Sequence, residues 1–255
     1  MAHSKLIPTI SGPEQAGLLY FCTTRAGGVS QDERTSLNLG LNTGDDPARV
    51  QDNRQRLATF LGSDPVWLAQ VHGTDLLDAD QEILPPAPRE FDAAITTRRD
   101  RTLAILTADC LPVVIWDGQA QILGVAHAGW RGLQAGVLER TWQAMATRCP
   151  QAQSWQAWIG PAISQDYFEV GQEVFDAYVS KGPELASFFI PGQRPGKWQA
   201  DLPGIARQRL EQLCPGKMTV HLSGLCTFKQ DDLFYSYRRS PLTGRQATIA
   251  RLNPV

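Results

Sequence analysis

The chain has 255 residues, 24 Lys and Arg against 26 Asp and Glu for a formal charge of −2, and 42% hydrophobic residues. That composition belongs to a folded globular protein and excludes intrinsic disorder, and the length suits one large domain or two small ones with a substantial core. The near-neutral balance leaves no electrostatic footprint for nucleic acid. The longest apolar run, Leu18 to Cys22, falls far short of the ~20 residues that a membrane-spanning helix needs.

In chain order, the first ten residues, MAHSKLIPTI, lack the basic, apolar and small-residue segments of a signal peptide. A strand pattern follows at 18–24. Residues 46–61 read as a helix, with Asp46 as N-cap and Pro47 at the first helical position. Further strand-like runs lie at 65–71, 92–97, 103–109, 112–117 and 121–127, rich in β-branched residues and bounded by polar or Gly/Pro positions. Residues 132–148 place Leu133, Val137, Leu138, Trp142 and Met145 on one stripe of a long helix. A strand at 154–160, a short helix at 173–180, a helix at 201–213 capped by Asp201, and strands at 219–224 and 245–252 complete the pattern. The Pro/Gly-rich stretches 85–90 and 191–198 read as surface loops. Composition does not change across them, so residues 1–255 are expected to form a single domain of mixed α/β (α+β) sandwich type.

Five cysteines, Cys22, Cys110, Cys149, Cys214 and Cys226, form no CxxC pair and are odd in number, as expected of reduced thiols in a cytoplasmic protein. Of the four histidines, His3, His72, His127 and His221, two share a setting with one cysteine. His72 follows PVWLAQV, His127 follows QILGVA, and Cys110 follows LAILTAD, each where a strand-like run gives way to a turn. Two imidazoles and one thiolate match a catalytic zinc site with its fourth position open. Asp109 and Asp75 are the candidate carboxylates to orient an imidazole, with Asp109 or the Cys110 thiolate the candidate proton relay. The same trio equally suits a Cys110 nucleophile activated by His127 without a metal. A histidine near a strand end is more often a hydrogen-bonded structural residue, and a cysteine is more often core.

Arg131 falls at the start of the 132–148 helix, where free N–H groups favour an anion, with Gly129 and Gly132 permitting close backbone approach. Arg25 precedes a Gly pair and is a second anion candidate. Asn38, in SLNLG, is a candidate substrate contact, although Asn also forms turns. Arg238, Arg239 and Arg245 cluster with Tyr235 and Tyr237 near the C-terminus, a pattern that fits a strand with one buried face or a solvated basic surface. Neither a P-loop nor a dinucleotide fingerprint occurs.

Nine blocks in order, TTRAGGVS, SLNLGLNTGDDPARVQDNRQRL, QVHGTD, TADCLPVVIWD, GVAHAGWRGL, IGPAISQDYFEVG, DLPGIARQRL, GLCTF and LFYSYRRSPLTGRQATI, resemble the YfiH-like family, labelled variously laccase-domain protein, polyphenol oxidase and purine nucleoside phosphorylase. The resemblance implies a single α/β/β/α sandwich-like domain related to cysteine hydrolases and a zinc site of His72, Cys110 and His127. It further implies phosphorolysis of adenosine, inosine and S-methyl-5′-thioadenosine, with hydrolytic deamination of adenosine. The expected partners are small molecules, purine nucleosides and phosphate, for a chain acting as monomer or homodimer. The alternatives are an amidase editing UDP-linked peptidoglycan precursors, a copper-dependent polyphenol oxidase, and a non-catalytic metal-binding protein. A multicopper enzyme needs many histidine ligands, and four are present in total. The one visible departure, SPL before TGRQ where many members carry an Asp-Gly turn, touches none of the proposed ligands.

Overall fold

Residues 7–81 and 89–254 are described by the computed structural model; His3 and most of the 85–90 loop lie outside them. Three sheets account for the named strands. The first, in the order β1 (Thr9–Ile10), β2 (Leu18–Thr23), β13 (Gln246–Leu252), β5 (Thr102–Thr107), is antiparallel throughout. The second is mixed and six-stranded, in the order β12 (Met218–Leu222), β8 (Trp155–Ile159), β6 (Leu111–Asp117), β7 (Leu123–Ala128), β4 (Ala93–Thr96), β3 (Leu76–Asp78). A small satellite sheet pairs β10 (Phe189–Pro191), β11 (Lys197–Ala200) and β9 (Glu169–Gly171), the 191–198 stretch closing its β10–β11 hairpin.

The strands alternate side chains between two faces, and that period sorts the core into three layers. Tyr20 and Cys22 of β2, Leu103 and Ile105 of β5, Val114 and Trp116 of β6, and Val125 of β7 fill the space between the two large sheets. The opposite faces of β2, β5 and β13, carrying Phe21, Ala104 and Ile249, pack against Leu57 and Leu61 of helix α1 (Pro47–Leu61). The other face of the six-stranded sheet, with Leu111, Val113, Ile115 and Ala126, packs on helices α2 (Trp130–Ala135), α3 (Val137–Arg148), α4 (Gln172–Val179) and α5 (Leu202–Leu213). The layers are therefore helix, sheet, sheet, helices, as the resemblance implied. Two helix starts follow their sequence signals directly: Asp46 accepts from Ala48 N–H at 2.9 Å, and Asp201 accepts from Gly204 N–H at 2.9 Å.

Three expectations need correction. The helix expected over 132–148 begins earlier, at Trp130, and breaks at Gly136, whose φ of +98° no helical residue adopts. The 65–71 run makes only an isolated bridge, Val66 to Leu103; further along, Gln70 substitutes for a strand neighbour by exchanging two side-chain hydrogen bonds, both 2.7 Å, with the Leu106 backbone. The aromatic-basic stretch 231–240 is a run of turns without a strand. The two-residue β1 and the short β3, β9, β10 and β11 gave too brief a periodicity to read.

Candidate active site

One end of the six-stranded sheet gathers the expected trio. Cys110 stands immediately before β6, in the turn 108–110 that carries the chain from one large sheet to the other, and Asp109 takes φ +97° to make that crossing. His127 is the penultimate residue of β7, with Pro112 of β6 as its register partner. His72 sits in the loop before β3, at φ +62°. The three ligand atoms lie within 4.8 Å of one another, Cys110 Sγ is 3.8 Å from His72 Nε2, and the two imidazoles meet edge to face with centroids 4.7 Å apart.

Asp92, a residue the sequence reading passed over, organises this arrangement. It directly precedes β4, is fully buried, and accepts 2.8 Å from His127 Nδ1. The same carboxylate accepts backbone N–H groups of Val71 (3.1 Å), His72 (2.9 Å) and Gly73 (2.7 Å). One acid thus holds the Nδ1 side of one candidate ligand, turning its Nε2 to the cluster, and pins the loop that carries another. Burial alone would raise the Asp92 carboxyl; the hydrogen bond from His127 and the backbone N–H groups of Gly73 and Val71 hold it below the usual carboxylate range. Its only trace in the sequence is an acid opening the otherwise apolar strand run at 92–97.

The two acids expected in that role lie elsewhere. Asp75 is exposed and paired with Arg140 at 2.9 Å. Asp109 accepts from Thr227 Oγ1 (2.7 Å), Ser236 Oγ (3.0 Å) and the Arg238 N–H (2.7 Å), so its oxygens face the 227–238 segment and serve as acceptors there. With both oxygens engaged by the 227–238 segment, Asp109 acts as a clasp that ties that segment to the turn carrying Cys110.

The electrostatics favour a thiolate. Burial would raise the Cys110 thiol, but the charge and hydrogen bond of His127, with His72 adding to them, bring it down to about 6. His127 moves the opposite way: burial opposes its charge, yet the Cys110 thiolate and the Asp92 hydrogen bond raise it to about 9. A fit test for a metal lies in Gly129. A Cβ there would come 2.7 Å from His72 Cδ2 and 3.1 Å from Cys110 Sγ, so the missing side chain keeps the space among the ligands clear. Two imidazole nitrogens and one thiolate sulfur are a zinc-type donor set, and the residues present fit such an ion. Gly132 has a different use from the one expected, since a Cβ there would meet the Gly73 carbonyl at 2.9 Å.

The anion candidates separate. Arg131 is exposed and lies over its neighbour Trp130, 4.3 Å from the ring centroid, and α2 is a six-residue helix. Arg25 donates to the carbonyls of Thr35 and Asp231, both at 2.8 Å, and sits over Tyr235. Asn38 is no substrate contact. It is fully buried, donating to Thr43 and Asp45 at 2.8 Å each while its carbonyl accepts from Gly40 N–H and Arg245 N–H. Within the C-terminal cluster, Arg239 donates to three carbonyls, those of Thr227, Phe228 and Phe234, and Arg238 donates to that of Tyr167.

The family model described as multi-copper polyphenol oxidoreductase laccase matches residues 19–253. The chain is 43% identical over 240 residues to the purine nucleoside phosphorylase PA4543 of Pseudomonas aeruginosa, covering 94% of this chain and 96% of that one. It is 41% identical over 239 residues to the purine nucleoside phosphorylase YfiH of Escherichia coli, at 93% and 95% coverage. The crystal structure of Neisseria meningitidis protein NMB0706, of family DUF152, superposes with a TM-score of 0.88 at 40% identity, covering 98% of this chain and all of that one. YlmD of Geobacillus stearothermophilus superposes at 0.82 and 29% identity, with 97% and 100% coverage. A helix–sheet–sheet–helix sandwich with a His/Cys/His cluster at a sheet end defines the class, and the chain belongs to this YfiH-like, laccase-described family.

Proposed function

We propose that this protein is a zinc-dependent purine nucleoside phosphorylase, cleaving adenosine, inosine and S-methyl-5′-thioadenosine, with hydrolytic deamination of adenosine as a second activity. The observation that carries the reading is the convergence of His72, Cys110 and His127 around a space that Gly129 keeps clear, in a chain aligned over nine-tenths of its length with relatives of that name. In phosphorolysis a phosphate oxygen bonds to ribose C1′, and the electron pair of the C1′–N bond leaves with the base. The base takes up the proton that the attacking phosphate releases. In deamination water adds its oxygen at C6 of the purine and ammonia departs.

His72, Cys110 and His127 would hold the zinc, which when bound supplies a Lewis acid for polarising an oxygen at the reacting centre. Asp92 keeps the proton of His127 on Nδ1 and so presents the Nε2 lone pair towards the cluster. The two imidazoles and one sulfur suit one ion, and copper is the alternative that metal analysis separates from zinc. Several coppers would need histidines beyond the two that converge, and His221 lies away on β12 beside Gln156.

A second reading rests on a specific contact. Cys110, His127 and Asp92 form a nucleophile, base and orienting acid in sequence, the arrangement of a cysteine amidase. The two readings part on one experiment. Protein of measured metal content is incubated with adenosine with and without inorganic phosphate, before and after chelation, and products are identified by chromatography and mass spectrometry. Adenine and ribose 1-phosphate forming only with phosphate, and lost on chelation, is the expected result; inosine in both tubes reports deamination. No conversion by zinc-loaded protein overturns the nucleoside reading. Amino-acid release from a UDP-linked precursor that survives chelation would put the amidase in its place.

A further inference from the structure

We propose that Arg245 is the anion-binding residue of this site, seating the phosphate that phosphorolysis consumes. The inference rests on the phosphorolytic reading and assigns a role that neither Arg25 nor Arg131 is placed to fill.

Strand register brings Arg245 to the site. In the β13–β5 ladder Gln246 pairs with Thr107, so Arg245, one residue earlier, stands opposite the start of the turn 108–110 that carries Cys110. Arg25 occupies the corresponding level one strand further out, because Cys22 pairs with Thr248 in the β2–β13 ladder. The surroundings of Arg245 are built to hold it. Its backbone N–H donates to buried Asn38 Oδ1 at 2.9 Å, and a Cβ on Gly40 would strike its Cγ at 2.7 Å. The SLNLG turn is thus the cradle of this side chain. The guanidinium is fixed from one side by Nη1, which donates to the carbonyls of Thr243 (3.2 Å) and Gly244 (2.9 Å), and its Cζ lies 5.8 Å from the Tyr237 ring centroid.

What the guanidinium lacks is an acid. Among the described residues no carboxylate pairs with it, and Nε and Nη2 have neither a protein acceptor nor full burial. A largely buried cation without a counter-ion is costly, and a positioned, half-committed guanidinium is a ready partner for an oxyanion. Burial opposes its charge, and the strand register sets the residue beside the turn that carries Cys110. Arg239 spends Nη1 and Nη2 on three backbone carbonyls, whereas Arg238, with one bond to the Tyr167 carbonyl, and Arg131, lying on Trp130, are both exposed.

The test compares wild type, Arg245→Gln, Arg245→Lys and the control Arg131→Gln. Steady-state phosphorolysis of adenosine is run against inorganic phosphate concentration, with zinc content and melting temperature recorded for each. In Arg245→Gln the KM for phosphate is expected to rise about tenfold or more, the loss of one charge-assisted contact. The KM for adenosine and the zinc content stay at wild-type values, Arg245→Lys recovers part of the loss, and Arg131→Gln changes nothing. A phosphate KM within twofold of wild type in Arg245→Gln overturns the proposal, as does equal loss of zinc in both Arg245 variants, which would make the residue structural. If wild type makes no ribose 1-phosphate, the phosphorolytic reading has failed. Calorimetric titration of inorganic phosphate into wild type and Arg245→Gln then decides the anion site alone: weaker binding by the variant supports it, and equal or absent binding overturns it.

Discussion

Two sheet ends meet at the turn 108–110, and they are built on opposite plans. On the six-stranded side, His72, Cys110 and His127 come from three separate segments and are tied together by a single buried acid, Asp92, through His127 Nδ1 and three backbone N–H groups. On the four-stranded side, arginines are plentiful, yet most of their donors end on carbonyls of the loops around them. The first end is specified by residue type, because few side chains can ligate a soft ion. The second is specified by what each guanidinium has left over after the loops are fastened. An arginine's presence therefore says little about function until its partners are known.

The comparison breaks most directly at the ligands. Cys110→Ala should abolish stoichiometric zinc and lower kcat/KM for adenosine phosphorolysis by about a thousandfold or more, read by elemental analysis and steady-state kinetics. A folded Cys110→Ala protein with full activity on every substrate would remove the trio from the chemistry. Asp92→Asn comes next, with zinc affinity lowered about 10–100-fold in a competition titration and stability reduced by about 1–3 kcal/mol in urea. Asp75→Asn, at one of the two acids that the sequence offered for this role, should leave both unchanged. Gly129→Ala sharpens the contrast between clearing a space and supplying a ligand: zinc binding should weaken while the melting temperature moves by only a few degrees, because the atoms nearest the added Cβ belong to His72 and Cys110.

A smaller effect separates the cysteines. In metal-free protein, Cys110 should alkylate with iodoacetamide at a rate that rises with pH and levels off above about 6, since the reactive thiolate persists down to that value and is protonated below it. Cys22 is fully buried and its thiol is raised to about 12, so mass spectrometry should find it unmodified across the same range. Equal labelling of the two would contradict the electrostatic coupling between Cys110 and His127.

The helices α1 and α5 were legible because a capping acid and Pro near the start announce each one, and the long core strands because their apolar runs span a full period. Residues 132–148 were legible as helix but not as parts of two helices, since only the backbone at Gly136 reveals the break. The zinc-type trio stood out by chemistry and by its position beside turns. Asp92 did not, because it lies 20 residues from His72 and 35 from His127 and becomes their partner only when β4 pairs with β7. Asn38 was misassigned for a related reason. A polar residue in a glycine-flanked turn reads as exposed until the fold closes Arg245 over it.

The sequence by itself determined a mixed α/β sandwich, through strand alternation and capped helices, with the four-layer order implied by the family resemblance, and it singled out His72, Cys110 and His127 by residue type and by their position beside turns. Only the tertiary structure decided which acid orients His127, which glycine clears the centre and which arginine stands half-buried beside the turn that carries Cys110. Those choices depend on strand register and on competition for hydrogen-bond partners between segments as much as two hundred residues apart. Local sequence carries no record of that competition, because a hydrogen bond is settled by proximity in space and not along the chain.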